Sequence, residues 1–577
     1  MTTAQEVRKS EGLNVTPIWF GPADRPLFGW LHLPEKANAG VVLCRPIGVE
    51  ELSSHRAYRC LAEELADQGM VALVFDYTGT GDSSGSTADV VDTRTWLADV
   101  TTAIDLVRQT GVSRIGLVGL RLGATLAANA ATANDVDALV LWDPCETGRR
   151  FLREQRMLAA SMGLGGDEVA SRGDVEIPGL VLPKDLAGAT GALSIDDSPV
   201  VPARPLLVLT RPDRPPSSNL LTWSSTQSLD QAEVVGQHEF IGVEPGASVV
   251  PKQVISDIEA WLSRRLSGTG DPSVCDHPQS MPTASVAQTP DGRDVIERAV
   301  RIGAEHLFGV VTEPQGADVG STPAVVLVNA GVLPHSGPAR LWVEIARGWA
   351  ARGVRVLRID FGGLGDSPTR PGQRPDVVYP LEAIDEIIDA ARFMDPDDPA
   401  GVLLVGLCSG GYHVLEGALA LSSRRVWIVN PGLPRMPPEL IERIRPPVPR
   451  RQAIRPINPL VRRLSASERI GQLTEATTPA AAWWLFDKLR LYPSSAVVLE
   501  TLARRGTEVL AVFTEPEFSR FAKRARWAVR RLERSPHCHF EVVKSMDHSL
   551  FDFTGRSELI RLLTARVQDE FRLRVSS

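Results

Sequence analysis

Residues 401–420 read GVLLVGLCSGGYHVLEGALA, and the passage from apolar run to helix-forming run inside this stretch decides the fold. Val402–Val405 has the length and composition of a buried strand, and the residues after Ser409 carry a helical pattern. Between them Gly406-Leu407-Cys408-Ser409-Gly410 spaces a central residue between two glycines. Such a strand-to-helix elbow holds its middle residue in a strained backbone conformation, and the glycines remove side chains that would strike neighbouring chain. Cys408 would then stand at a helix N-terminus, where the dipole and free N–H groups favour a thiolate and an adjacent oxyanion. The plainer reading makes Cys408 a small buried hydrophobe and Ser409 polar filler. Taking Ser409 as the nucleophile shifts the register and breaks the glycine spacing.

Two later segments supply partners. After the strand pattern of EVLAVFTEPEF (508–518) comes Glu517, with Glu515 as a second candidate; after that of FEVVKSMDHSLF (540–551) comes His548. Nucleophile, acid and histidine in this order predict a Cys408–His548–Glu517 triad, with Asp547 as a further substitute for the acid. The oxyanion donors are expected to be the backbone N–H of Ser409 and one from Asn329-Ala330-Gly331, with Ala330 and Gly331 as candidates.

Working outward, the same signals occur twice in the same order. PLFGWLHLP (26–34), GVVLC (40–44), YRCLAEELADQG (58–69) and VALVFDYTGTGDSSG (71–85) return as HLFGVVTEP (306–314), AVVLV (324–328), LWVEIARGWAARG (341–353) and VRVLRIDFGGLGDSP (354–368). Continuous β-branched strands alternating with amphipathic helices predict an α/β fold: two tandem domains, each a mostly parallel sheet flanked by helices and carrying a lid insertion. The Ser-, Pro-, Gly- and Thr-rich stretch 266–292 reads as an exposed linker. The expected division is 1–266, a linker 267–290, and 291–577. The insertions are expected at 145–203 and at about 432–503, the second holding seven arginines within 443–463 and the aromatics Trp483, Trp484 and Phe486.

The first copy has the elbow Gly119-Leu120-Arg121-Leu122-Gly123, but a guanidinium cannot be deprotonated to act as a nucleophile. Asp213 and His238 stand where acid and base are expected, so Arg121 is read as pairing with Asp213 in an inactive pseudo-site; the alternative is that Arg121 binds a substrate carboxylate or phosphate. The turns 78–85 and 362–368 lack the Walker lysine and read as structural turns with Asp82 and Asp366 capping. His335 and His413 are expected to be structural histidines rather than metal ligands, and neither a metal nor a cofactor is expected.

These residues resemble a family. GLRLGATLAA (119–128) with ALVLWDPCETGRRFLREQRML (138–158) looks like the type 2 exosortase-system-associated hydrolases, which also carry arginine in the elbow. GLCSGG (406–411) with IVNPG (428–432) is similar to the type 1 proteins of that system, whose elbow reads GLC. The chain departs from the pattern by joining both types and by placing Ser409 where type 1 proteins often carry an acidic residue. The resemblance implies the α/β-hydrolase fold and acyl chemistry alongside acyl carrier proteins.

Composition narrows the remaining classes. With 43% hydrophobic and 23% charged residues over 577 positions the chain is neither disordered nor coiled-coil. A net charge of -8 argues against nucleic acid as partner. Six cysteines without metal spacing suit a reducing cytosol, and no stretch reads as a signal peptide or membrane span, so a cytoplasmic enzyme is expected. Because thiolate attack on a thioester is a near-balanced exchange, the expected function is acyl transfer or hydrolysis from an acyl thioester, on a carrier protein or CoA, to water, alcohol or amine. Arginines in 443–463 and 520–534 would dock an acidic carrier or CoA phosphates, or simply form a solvated charged face. The rivals are an ester hydrolase and a non-catalytic scaffold binding an acyl ligand or partner. The first copy is expected to pack against the second and position its lid or acceptor.

Overall fold

The structure, a computed structural model, describes residues 14–197, 204–225, 227–266, 272–380, 382–431 and 495–572. In the first half an eight-stranded sheet runs Asn14–Phe20, Leu27–Leu33, Met70–Phe75, Ala39–Cys44, Arg114–Leu120, Ala138–Trp142, Pro205–Thr210, Ser228–Glu233. Its first two strands form a hairpin that joins antiparallel to the third, and all later pairs are parallel. In the second half nine strands run Ala284–Gln288, Asp294–Ile302, Leu307–Pro314, Arg355–Ile359, Ala324–Leu327, Leu403–Leu407, Arg425–Val429, Glu508–Phe513, Cys538–Val542. The pattern is the same, an antiparallel entry followed by a parallel run.

The central strands are apolar throughout because helices cover both faces. Val41 and Leu43 face the helices Val49–Asp67 and Lys252–Leu266, while Val42 and Cys44 face Arg94–Arg108 and Leu122–Ala133. In the second half Val325 and Leu327 meet Leu341–Ala350 and Phe553–Glu570, and Val326 meets Ala383–Met394 and Ser409–Leu421. One detail carries the duplication down to atoms. The Tyr58 hydroxyl donates to the Cys44 carbonyl at 2.8 Å, and the Trp342 indole donates to the Val328 carbonyl at 2.9 Å, each tying a helix to the end of the matching strand.

The expected linker 267–290 is corrected at its C-terminal end. Ser273–Val274 pairs with Lys36–Ala37 and Met281 bridges to Trp19, so this segment lies along the first domain. Ala284–Gln288 is the edge strand of the second sheet. An edge strand needs little apolar surface, and only Ala284 of the five residues is buried, which is why its composition reads as loop.

The turns read from sequence as merely capped are where the halves meet. The Asp82 carboxylate takes the guanidinium of Arg358 and, at 2.6 Å, Nε2 of His335; Nδ1 of His335 lies 2.8 Å from Asp360. Conversely His55 of the first half pairs with Asp366 at 3.0 Å. Arg340 donates to the carbonyls of Gly81, Ser83 and Gly85, and Arg347 joins Glu297 to the same turn. Trp30 meets Phe308 edge-on at 4.8 Å beside these charges. Burial alone would drive the proton off His335, but Asp82 and Asp360 hold its pKa well above the usual value, so it sits in the interface as a cation.

The insertion of the first half is built from helices Gly148–Ser161, Asp167–Ser171 and Lys184–Ala192 and a hairpin, Val175–Ile177 with Leu180–Leu182. Of the second insertion, helix Ser495–Arg504 is described and packs Leu499 and Leu502 into the core. The 443–463 arginines and Trp483, Trp484 and Phe486 lie outside the described residues. Among the described residues no helix is long and apolar enough to cross a membrane.

Candidate active site

Strand Leu403–Leu407 delivers Cys408 at φ 53°, ψ −119°, immediately before helix Ser409–Leu421. The flanking glycines are obligatory: a Cβ on Gly406 would lie 2.2 Å from the Gly410 carbonyl oxygen, and one on Gly410 would lie 2.3 Å from the Asn329 carbonyl oxygen. A non-glycine residue at positive φ costs about 1–3 kcal/mol, which the surrounding packing must over-determine.

Cys408 Sγ lies 3.7 Å from Nε2 of His548, whose Nδ1 lies 3.3 Å from Oε1 of Glu517. Thr514 directly follows strand Glu508–Phe513 and caps helix Glu515–Arg524 by accepting the Glu517 N–H, which sets the Glu517 side chain at the helix start, facing the histidine. Arg520 pairs with the same Glu517 oxygen at 3.0 Å. Glu515 is exposed and Asp547 is engaged elsewhere: its carboxylate accepts the N–H groups of Ser549, Phe551 and Asp552 and so staples the loop that carries His548. Hydrogen bonds to Cys408 and to Glu517 push the His548 pKa up to about 10 against the opposing effect of burial. The His548 contact and the Arg520 charge, opposed by partial burial, hold the Glu517 carboxyl below its ordinary value.

The oxyanion expectation changes in one respect. The Gly331 N–H donates to the Ser409 hydroxyl at 2.8 Å, so it is engaged by that side chain in this state. The loop containing Ala330 is fixed by Asn329, which donates to the Leu333 carbonyl and to Asp360.

In the first domain Arg121 occupies the same elbow at φ 56°, ψ −120°. The expected pairing with Asp213 does not occur. Asp213 is three-quarters exposed and lies 3.4 Å from Arg211, and His238 sits exposed on the short helix Gln237–Ile241. Arg121 instead meets Glu50 at 3.1 Å, Asp143 at 3.6 Å and Glu154, with Gln155 also bonded to Glu50. The buried guanidinium is thereby fully committed to carboxylates of its own domain, which leaves no face for a ligand anion. Asp143 follows its strand where Asn430 follows the equivalent strand of the second domain, both at φ near 40°. An acid there, paired with an arginine in the elbow, was the signal available in the sequence.

His335, Asp360 and Asp366 lie close enough together to suggest a cation site. The donor set does not fit one: both ring nitrogens of His335 face carboxylates, and a protonated imidazole has no lone pair to give. His413 is buried with Nε2 on the Val378 carbonyl at 3.1 Å, and desolvation lowers its pKa to about 4.

Residues 325–553 match the family model described as alpha/beta hydrolase family, and residues 41–162 match the one described as serine aminopeptidase, S33. Similar solved structures include ferulic acid bound to Est1E from Butyrivibrio proteoclasticus, at 16% identity over 44% of this chain and 100% of that one, TM-score 0.35. They also include the Pyrococcus furiosus esterase Pf2001, at 15% identity over 46% and 97%, TM-score 0.33. A third is XC6422 from Xanthomonas campestris, described as an a/b serine hydrolase without lid, at 16% identity over 45% and 97%, TM-score 0.28. No curated protein matches the chain in sequence. With sheet order, elbows and family models in agreement, both halves are α/β-hydrolase domains in tandem.

Proposed function

Proceeding from two tandem α/β-hydrolase domains with unlike elbows, we propose that the second domain catalyses acyl transfer or hydrolysis through a cysteinyl acyl-enzyme at Cys408, with an acyl thioester as donor. The observation that carries this reading is the line Cys408 Sγ, His548 Nε2, His548 Nδ1, Glu517 at a positive-φ elbow. A histidine pushed up to about 10 is protonated at neutral pH, the state that pairs with a thiolate. Sγ attacks the thioester carbonyl carbon, forming a C–S bond and a tetrahedral oxyanion. The Ser409 N–H and a donor from the Ala330 loop stabilise that oxyanion. On its collapse the donor C–S bond breaks and His548 Nε2 gives its proton to the departing thiolate. Neutral His548 then takes a proton from water, an alcohol or an amine as it attacks the acyl-enzyme, and Cys408 leaves as thiolate, restoring the pair. Glu517 fixes the ring orientation throughout.

The choice of a thioester rests on the thiol nucleophile. It is also supported by the exposed cations Lys523, on helix Glu515–Arg524 that begins beside Glu517, and Arg526 and Arg530, on the following helix Arg526–Leu532, a surface that suits an acidic carrier or CoA phosphates. The first domain, lacking a nucleophile, is read as inactive.

The test is intact-mass spectrometry of the full chain incubated with acyl thioesters and, separately, with simple esters, alongside C408A. An acyl mass gain on the wild type from thioesters, absent in C408A, is the expected result. A gain from esters alone reassigns the donor, and no adduct with no turnover in either panel overturns the enzymatic reading in favour of a binding scaffold.

A further inference from the structure

Resting on the proposed Cys408–His548 pair, we propose that Glu176, in the inactive first domain, is a positioning residue for His548 in the second. Glu176 belongs to the hairpin strand Val175–Ile177 and is buried. One carboxylate oxygen accepts the N–H of Phe553 at 2.7 Å, and the other accepts the N–H of Gly165 at 3.0 Å. Phe553 is the first residue of helix Phe553–Glu570, so the carboxylate satisfies a helix-start donor that lacks an intrahelical partner and complements the dipole there.

That anchor is one step from the histidine. Asp552, beside Phe553, caps the helix through Gly555, and its own N–H is held by Asp547, the neighbour of His548. Leu550, between them, stands at φ 57°, and the carbonyls of Leu550 and Phe551 both accept from buried Arg556. The His548 loop is thus a closed figure pinned from its own domain by Asp547 and Arg556 and from the other domain by Glu176. A second contact acts on the same loop. Phe551 is buried in one apolar cluster with Val49 and Leu52 of the first domain and Ala339 of the second, against which Leu164 of the first and Leu333 of the second also pack. Leu333 belongs to the loop that follows Ala330, so the surface touching the histidine loop also touches the oxyanion side of the site. The imidazole must meet Sγ and Glu517 simultaneously while remaining half-exposed, with little packing of its own to hold it. Its aim therefore depends on the loop, and the loop depends on the first domain.

The experiment alkylates full-length wild type, E176A and E176Q with iodoacetamide from pH 5 to 9, quantifies the Cys408 peptide by mass spectrometry, and measures kcat and KM on the acylating substrate. Burial pushes Cys44 and Cys538 up to about 12 and also raises Cys145, so the Cys408 peptide is separable from these thiols by rate. E176A is expected to slow Cys408 alkylation at neutral pH and to lower kcat by about tenfold with KM little changed, in keeping with what a small misplacement of a reacting group costs. E176Q keeps an oxygen for the Phe553 N–H and is expected to recover most of the rate. An E176A profile superimposable on the wild type, with unchanged kcat, overturns the inference. Should E176A not fold, E176D, whose shorter side chain draws the carboxylate back from the Phe553 N–H, decides by the same two readouts: Cys408 alkylation and kcat both equal to the wild type overturn the inference. Wild-type Cys408 reacting only as an ordinary thiol would instead overturn the pair itself, and with it this inference.

Discussion

The two elbows differ by no more than 3° in φ or ψ, yet they hold a thiol in one domain and a guanidinium in the other. The backbone is therefore indifferent to the chemistry it presents, and what separates the sites is the ring of groups around them. Cys408 faces a half-exposed histidine and its carboxylate. Arg121 faces Glu50, Asp143 and Glu154, and its burial leaves only internal partners. The first domain keeps the strained turn without a thiol, and its contacts with the second domain lie away from that turn, at Asp82 and Glu176.

The sharpest way to break the comparison is at Cys408, the proposed nucleophile. C408A should lower turnover by about 10⁴-fold or more while leaving the fold intact, as removal of a triad nucleophile does elsewhere; steady-state assay with circular dichroism checks both parts. R121C should form no acyl adduct despite the identical backbone, because His238 and Asp213 are turned out to solvent.

Next in size is the acid. E517Q should cost about 10²–10⁴ in kcat, the range found when the orienting carboxylate of a triad is neutralised, whereas E515Q should leave kcat unchanged because Glu515 is exposed. Equal losses in both variants would disprove the geometric assignment.

On the other side of the comparison, R121M removes the cation and leaves Glu50 and Asp143 buried without it. Breaking a buried pair from one side typically costs about 3–5 kcal/mol, to be read in urea unfolding. Burial already raises the pKa of both acids even with Arg121 present. The destabilisation should therefore shrink on acidification as they protonate, and a pH-independent loss would point to packing instead.

The titration of His548 distinguishes the two sites at smaller amplitude. Its folded pKa is raised, so the stability it contributes is fully present below its ordinary value and is lost as pH rises through about 10. NMR of the ring protons should show that midpoint in the wild type. In C408A the midpoint should fall, because the bond to Cys408 is the largest contributor, whereas Glu517 alone would keep it above the ordinary histidine value.

What could be read in the sequence was what neighbours in the chain determine. Gly406, Gly410, Gly119 and Gly123 announce both elbows because a Cβ there collides with backbone, and the order of Cys408, Glu517 and His548 follows the order of the strands that carry them. What escaped depends on contacts distant in the chain. His335 and Asp82 are 253 residues apart, Glu176 and Phe553 are 377, and Arg121 chose Glu50 and Glu154 over the acid at the expected position. Asp82 looked like a turn cap because its main chain does make that turn, closed by Ser83 N–H on the Thr80 carbonyl; its carboxylate was free to serve the other domain.

The smallest expected effect is informative for being small. D213N and H238A alter residues that sit where a triad acid and base would stand, yet both side chains are exposed and neither meets Arg121. Each should change stability by no more than about 0.5 kcal/mol, the ordinary range for surface positions, and neither should change the activity of the second domain. A large loss from H238A would mean that the first domain still uses its histidine, and the contrast between an armed and a sealed elbow would have to be redrawn. A null result leaves the seal where the distances put it, in Glu50, Asp143 and Glu154. The first domain's contribution to chemistry would then pass through its contacts with the second, by way of Asp82, Phe551 and Glu176, and not through a pocket of its own.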